Sequence, residues 1–441
     1  MTILEKGNKK LLNAWAFYDW ANSVYSLTIV STIFPIFYNL LFETAGLTHI
    51  SIFGMLIKST SLITFITALA FAVVVVLSPI LSGIADYLGN KKAFMRFFCY
   101  LGALSSIGLF WFSLEHIYFS LLCYFGGVLG FWGSIVFYNS YLPDIALPEQ
   151  YDTISAKGYS LGYAGSVLLL IFNLIVIMNP QWIGFDTNTS ETTLFTMRLS
   201  FITVGVWWIG FSQISFAYLP NYPKERGKMT KNVLLGGFRE LSKVWQQLTD
   251  SPRLKWFLVA FFVYSMGVQT VMLIATYFGG EEIQWETTEQ STIGLIVSVL
   301  LIQLVAILGA RLTVVAVKYW GNVNVLIGLN AIWVTICIAS YWVFKPNEFY
   351  ILAAVVGLVM GGIQTLSRST YSAYLPITTD TTSFFSFYDV TEKLGIVIGM
   401  GIYGLIDQFT NNMRNATLSL MLFFAIGMCL LFKVQFIKNK E

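Results

Sequence analysis

The chain has 441 residues, of which 56% are hydrophobic and only 11% are charged, with a formal net charge of +3. Charged residues are about half as frequent as in a soluble globular domain, which excludes a soluble fold. The small net charge and the scatter of basic residues among short loops set nucleic-acid partners aside.

Apolar runs long enough to cross about 30 Å of hydrocarbon as helix recur along almost the whole chain. They must be helices, because the backbone has to satisfy its own hydrogen bonds in lipid. Twelve spans are expected, at 13–42, 58–84, 94–114, 117–142, 158–179, 198–219, 254–278, 290–317, 322–344, 349–375, 384–408 and 415–437. The predicted fold class is therefore an all-α membrane protein of two six-helix halves, 1–219 and 254–441, joined by a segment at 220–253. An even count puts both termini on one side. With that side cytoplasmic, only Lys58, Arg198, Lys345 and Arg414 of the 26 basic residues lie away from it, as the positive-inside rule requires.

The first span opens NAWAFYDWANS and carries Asp19 in its first third. A carboxylate inside a bilayer-spanning helix costs about 3 kcal/mol, so Asp19 is expected to face protein or water. Lys6, Lys9 and Lys10 precede this run as in a signal peptide, but the run is too long, carries an acid and lacks a cleavage site; a retained helix is expected. Short loops point to a bacterial plasma membrane. The sequons at Asn188 and Asn415 fall on the outer side and carry no meaning in such a membrane. Cys99, Cys123, Cys337 and Cys429 all sit in apolar runs and read as small hydrophobes. Glu281, Glu282, Glu286 and Glu289 follow the seventh span and read as a solvated outer loop. The connection between the halves holds Lys224, Arg226, Lys228, Lys231, Arg239, Lys243 and Arg253. An amphipathic pattern around Phe238, Leu241 and Trp245 is expected to lie on the membrane surface.

The halves repeat. Tyr141-Leu142-Pro143 matches Tyr374-Leu375-Pro376, Leu161-Gly162 matches Leu394-Gly395 at the same offset, and Gly89 matches Gly321 one residue off it. Parallel repeats of six spans are a transporter architecture.

Between the second and third spans, Ser82-Gly83-Ile84-Ala85-Asp86-Tyr87-Leu88-Gly89-Asn90-Lys91-Lys92 resembles the signature loop of the major facilitator superfamily. It departs from that pattern at Ser82, where Gly is usual, and at Tyr87, where a base is usual. The resemblance implies that Asp86 braces the start of the eleventh span, which is physically sensible because a helix N-terminus attracts a carboxylate. Lys393 is expected as a further charge partner for Asp86. In the second half Lys318 occupies the place of the acid and is expected to be offset by Asp144, Glu149 or Asp152. Asp86, Gly89, Lys91, Lys318, Asp389 and Lys393 form the expected gating set.

Longer stretches narrow the resemblance. YDWANS at 18–23, YSLGYAG at 159–165, GGIQTLSRS at 361–369 and FFSFYDVTEK at 384–393 are similar to the unknown-major-facilitator branch of that superfamily, whose fungal members are autophagy-related vacuolar effluxers. The resemblance implies a twelve-helix secondary transporter whose first, fourth, seventh and tenth spans line a central cavity, with an amino acid as the implied solute.

Polar stripes support a cavity. Asp19, Asn22, Ser23 and Ser26 share one face of the first span; Gly127, Gly130, Ser134, Tyr138 and Tyr141 mark the fourth; Ser265, Gln269, Met272 and Thr276 mark the seventh; Gln364, Arg368 and Tyr371 mark the tenth. Helix packing suffices for Ser26, Thr276 and Gly130, whereas Gln269, Gln364 and Arg368 are costlier to leave in lipid. Asp19, Asn22, Ser26, Tyr138, Gln269, Gln364 and Arg368 are the candidate substrate and coupling residues. Arg368 has two readings, a cavity role or snorkelling to the nearby surface. Asp19 also has two, a pair with Arg368 across the halves or a local role at its helix start. Such a pair would link protonation to alternating access, since a neighbouring cation favours the carboxylate and its departure favours the proton.

A phosphate-cradling loop ending in Gly-Lys-Ser/Thr is lacking, so gradients rather than ATP are the expected drive. His49 and His116 lie in outer loops, no Cys/His spacing suits a metal, and neither an enzyme nor a cofactor is expected. The expected partners are a small polar solute, the bilayer and protons. Efflux of amphipathic compounds, or a lipid-moving or non-transporting role, are the competing functions.

Overall fold

A computed structural model describes residues 4–185, 189–221 and 233–437. The basic residues Lys224, Arg226, Lys228 and Lys231 and the sequon residue Asn188 lie outside the described residues, as do the side chains of Phe238 and Glu289. The helices are α1 (Lys9–Val24), α2 (Ile33–Thr44), α3 (Ser59–Leu88), α4 (Lys91–Gly108), α5 (Ile117–Asn139), the short α6 (Leu142–Ile145), α7 (Tyr151–Met178), α8 (Ser190–Tyr218), α9 (Val233–Asp250), α10 (Pro252–Glu282), α11 (Thr288–Trp320), α12 (Asn322–Ser340), α13 (Pro346–Tyr374), α14 (Thr381–Thr410), α15 (Met413–Ser419) and α16 (Met421–Phe436).

Among the described residues, 11 stretches are long and apolar enough to cross a membrane. The twelfth crossing helix is α14, whose 30 residues are interrupted by Asp389, Glu392 and Lys393. Several helices outrun the apolar runs that mark them. α7 starts at Tyr151 and α14 ends at Thr410 because polar end turns continue the backbone ladder beyond the hydrocarbon.

The first crossing is not one straight helix. Tyr25–Val30 forms a π-helical turn in which the Ser31 amide reaches back to the Ser26 carbonyl at 3.1 Å, after which the chain bends at Thr32 and restarts as α2. Such bulges accompany functional segments in helices, and here the bulge follows directly on the stripe that carries Asp19. A second departure from an all-helical chain is a hairpin of β1 (His49–Ile52) and β2 (Met55–Lys58), turned by Phe53 and Gly54 at positive φ. Its sequence is too short and too apolar to be told from a helical overhang by periodicity.

Apolar burial gathers in two bodies. One is drawn from α1 through α8, with Trp15, Tyr25, Phe37 and Trp208 fully enclosed; the other is drawn mainly from α10 through α16, around Trp333, Tyr371 and Phe424. The bodies meet where α3 packs on α14 and α7 packs on α11 and α13. Both described ends of the chain lie on one face, called here the terminal face. Lys6 hydrogen-bonds the Pro143 carbonyl there, and Gln435 lies beside Arg253 and Trp320. The linker helix α9 packs against α3 on this face, burying Val244 and Leu248, while Lys243 bonds Asp380 at 2.8 Å and Trp245 meets Phe387. That hydrogen bond holds the Lys243 ammonium protonated above its usual range.

On the opposite face the Glu282 side chain is not simply solvated. Arg414 donates Nε to Glu282 Oε2 at 2.7 Å and spreads its other nitrogens over the carbonyls of Glu282, Ser340, Tyr341 and Val343. An acid that reads as a loop charge is thus half of a buried staple joining α10, α12 and α15, a partner 132 residues away that local sequence cannot reveal.

Candidate functional site

Asp19 lies about 15 Å into α1 by helical rise, and Arg368 about 9 Å from the terminal end of α13. The fold brings them together. Arg368 Nη1 and Nη2 approach Asp19 Oδ2 at 3.3 and 3.4 Å, and Tyr138 donates its hydroxyl to the same oxygen at 2.7 Å. The other guanidinium donors are also used: Nε to Ser155 Oγ at 3.0 Å, Nη2 to the Ser155 carbonyl at 2.9 Å and Nη1 to Asn139 Oδ1 at 3.2 Å. Arg368 is 1% exposed, so it does not snorkel. Its guanidinium is boxed by the rings of Trp15, Tyr138 and Tyr159 at 4.8, 5.5 and 4.0 Å. A charge this deep is tolerable only because every N–H has an acceptor and a carboxylate balances it.

The close fit depends on Gly158 in α7. A Cβ there would stand 2.5 Å from Asp19 Oδ2 and 3.0 Å from both Arg368 Nη2 and the Tyr138 hydroxyl. Trp15 fixes Tyr138 from behind, stacking at 4.6 Å and donating its indole N–H to the Tyr138 carbonyl. Three helices of one half, α1, α5 and α7, thus grip one side chain of the other.

Nearer the terminal face, further hydrogen bonds join the halves. Asp86 accepts the amides of Thr382 and Ser383 at 3.2 and 2.6 Å, so its carboxylate satisfies donors at the first turn of α14. Gly89 makes this geometry possible by closing α3 in the left-handed region at φ 68°. Lys91 donates to Asp144 Oδ2, the Ser140 carbonyl and Thr381 Oγ1 at 2.5, 2.9 and 3.0 Å. Lys393 is not a partner of Asp86. It is drawn instead to Asp389 and Glu392 on its own helix, one turn and one residue away.

The expectation for Lys318 also fails. Lys318 is exposed and, among the described residues, forms no ion pair; Asp144 is taken by Lys91, and Asp152 accepts from Asn322 Nδ2 at 2.7 Å and Ser369 Oγ at 2.5 Å. The reason is the turn. Gly321 has φ 77° and ψ 159°, unlike the left-handed cap at Gly89, and α12 starts at once, which carries Asn322 rather than Lys318 to the interface.

Towards the middle of the bundle, Tyr163 donates to Gln364 Oε1 across the halves. Gln269 donates to Glu392 Oε1 at 2.8 Å. Gln269, Gln364 and Glu392, with Tyr159, Phe261, Tyr264, Ser367 and Tyr388, surround a small space between α7, α10, α13 and α14. Asn22 is buried close by in sequence, accepting from Ser23 at 3.3 Å, whereas Ser26 stands in the π turn and, among the described residues, makes no side-chain hydrogen bond. Gly130 meets the Gly102 backbone, so it serves packing between α4 and α5.

Ser155, Asn139, Tyr159 and Glu392 are not among the expected site residues, and Asp152 is expected only as a partner for Lys318. Ser155 and Asp152 lie in polar turns of α7 ahead of its apolar run; Tyr159 and Glu392 lie inside the family-like stretches but off the counted stripes.

Two six-helix bodies with a polar, charge-paired seam along their common axis define a carrier of the major facilitator type. Solved structures agree on the fold: the E. coli fucose:proton symporter FucP aligns at a TM-score of 0.67 with 15% identity, covering 96% of this chain and 97% of that one. FucP in its outward conformation aligns at 0.70 with 13% identity, covering 96% and 98%. The chain belongs to the Atg22-like vacuole effluxer family, whose model matches residues 7–441. It is similar to the MFS-type transporter YxiO of Bacillus subtilis, with 30% identity over 427 residues, 95% of this chain and 93% of that protein. It is also similar to autophagy-related protein 22 of Saccharomyces cerevisiae, with 26% identity over 412 residues, 81% and 74% of the two chains. The protein is thus a multi-pass transporter of the major facilitator superfamily, and its relatives are transporters rather than enzymes.

Proposed function

We propose that the protein moves a small polar solute across a bacterial plasma membrane by alternating access, with its terminal face cytoplasmic and the Asp19–Arg368 pair as the latch that closes that face. One observation carries the reading: the hydrogen bonds joining the halves cluster between the terminal face and the mid-bundle, from Asp86 with Thr382 and Ser383 up to Tyr163 with Gln364. A seam of this kind closes one end of a path and must part for the other state, which is what rocking of two repeats around a central site requires. The path is polar. Gln269, Gln364 and Glu392 offer both donors and acceptors above the latch, and α3 on α14 and α7 on α11 close the flanks that a lipid would need to enter.

The family takes its name from vacuole effluxers, a name that speaks of export in its namesakes. Amino acids fit the mixed charge and amide character of the seam and head the panel. The test is a thermal-stability screen of the purified protein against amino acids, peptides and sugars, because a ligand stabilises the state that binds it. A polar solute that raises Tm, and is carried by proteoliposomes, is expected. Stabilisation by lipids or amphipathic drugs alone would contradict the proposal.

A further inference from the structure

The second group of buried charges lies on α14. Lys393 is fully buried and donates to Asp389 Oδ1 at 2.7 Å and Glu392 Oε2 at 3.0 Å, while its ammonium stands 3.7 Å from the centre of the Trp132 ring on α5 of the other half. Gln269 of α10 supplies a second N–H to Glu392. Asp389 is 3% exposed, and its Oδ2 has no hydrogen-bond donor among the described residues.

The cluster holds two carboxylates and one ammonium. The groups turned to it from neighbouring helices are Trp132 of α5, Tyr264 and Gln269 of α10, Tyr159 of α7 and Gln364 and Ser367 of α13, with Tyr388 from α14 itself; none is a cation, and Arg368 of α13, which lies 4.0 Å from the Tyr159 ring, is paired with Asp19. Other charges around α14 are already matched. Asp19 pairs with Arg368, Asp86 accepts two amides at the first turn, Lys243 bonds Asp380 beyond it, and Arg414 holds Glu282 at the opposite face. One negative charge is left over inside the bundle, where an unmatched charge is strongly disfavoured and tends to be neutralised. A hard metal cation wants several oxygen ligands. Here both Glu392 oxygens already accept N–H donors, and Asp389 leaves one oxygen, which suits a proton.

We propose that the Asp389–Glu392–Lys393 cluster of α14 binds one proton and is where transport is coupled to a proton gradient. The proposal rests on the transport reading above. It moves the coupling role away from Asp19, whose charge Arg368 balances. Glu392 borders the small space beside Gln269 and Gln364, so the proton site adjoins the region where a solute would bind. The Lys393–Trp132 contact carries the charge state of α14 to the other half.

Trp132 is a native reporter of this site. The experiment uses the full chain in detergent micelles, with His49 and His116 replaced by Gln to remove their titration. Tryptophan emission and proton release to an indicator dye are followed between roughly pH 5 and 9. The expected result is an emission change that W132F removes, with one proton bound per chain that W132F retains. D389N and E392Q should each lose that proton, and D19N should keep it. If one of the two α14 variants fails to fold, the other and the W132F difference suffice. The proposal is overturned by an unchanged titration in both α14 variants, by loss of the titration in D19N alone, or by an emission change that follows sodium instead of pH. Solute stabilisation read in the same samples keeps two failures apart: stabilisation with an unchanged titration overturns the proton site alone, and a lost titration with no stabilising solute overturns the solute reading alone.

Discussion

At the scale of single residues, the central fact is that Arg368 spends all its donors on the opposite half. Removing one partner of a buried pair is strongly destabilising, by about 3–5 kcal/mol for the closed state, because the other charge stays behind. D19N and R368Q are each expected to weaken closure of the terminal face by an amount of that order, and the double variant D19N/R368Q by clearly less than their sum, with a coupling of roughly 0.5–3 kcal/mol. A cycle of thermal unfolding on the four proteins checks this; additive losses would deny the pair. Gly158→Ala should act on the same latch without touching a charge, because its methyl would stand against Asp19 and Arg368. Faster hydrogen exchange at the terminal ends of α7 and α13, with the rest of each half unchanged, is the expected outcome. Asp19 and Arg368 were legible in the sequence because a charge in lipid is conspicuous by its cost. Ser155 and Asn139, which complete the grip, are ordinary residues whose role exists only once α5, α7 and α13 meet.

At the scale of elements, periodicity and length located the crossing helices, but not their polar ends or their breaks. The π turn at Tyr25–Val30 and the restart at α2 divide a run that reads as one helix, and the stripe predicted to continue to Ser26 ends at that turn. Lys318 shows a second limit. The repeat correctly aligns Gly89 with Gly321, yet the two glycines adopt different ψ, and a change of one turn moves the interface contact from Lys318 to Asn322. The Arg414 staple was hidden for a different reason, since its acceptors are backbone carbonyls and an acid from distant helix ends. R414A leaves Glu282 and several buried carbonyls without a donor, and a lowered Tm with a loss of about 3–5 kcal/mol is expected. R414K should recover only part, since an ammonium lacks the planar fork that reaches both the carboxylate and the carbonyls.

At the scale of the whole molecule, each half buries an apolar body of its own, helix packing of α3 on α14 and of α7 on α11 and α13 brings them together, and the hydrogen bonds and ion pair that join them lie towards one face. Bodies that bury their own cores can move against one another without unfolding, while the polar seam between them can be exchanged for water and solute. The twelve-helix arrangement was readable from composition, span count and internal repeat, whereas the state of closure depends on which pairs meet: Asp19 with Arg368 and Asp86 at the start of α14 were open to a reading of the sequence, and the contacts of Ser155 and Asn139 were not. The most direct measurement uses Ser140 and Thr382, whose hydroxyl oxygens face each other across the seam at 3.4 Å. In S140C/T382C, with Cys429→Ser to remove the exposed native thiol, oxidation is expected to form a cross-link that stops flux of the stabilising solute in proteoliposomes, and reduction to restore it. A cross-linked protein that carries the solute at an unchanged rate would contradict alternating access through this seam.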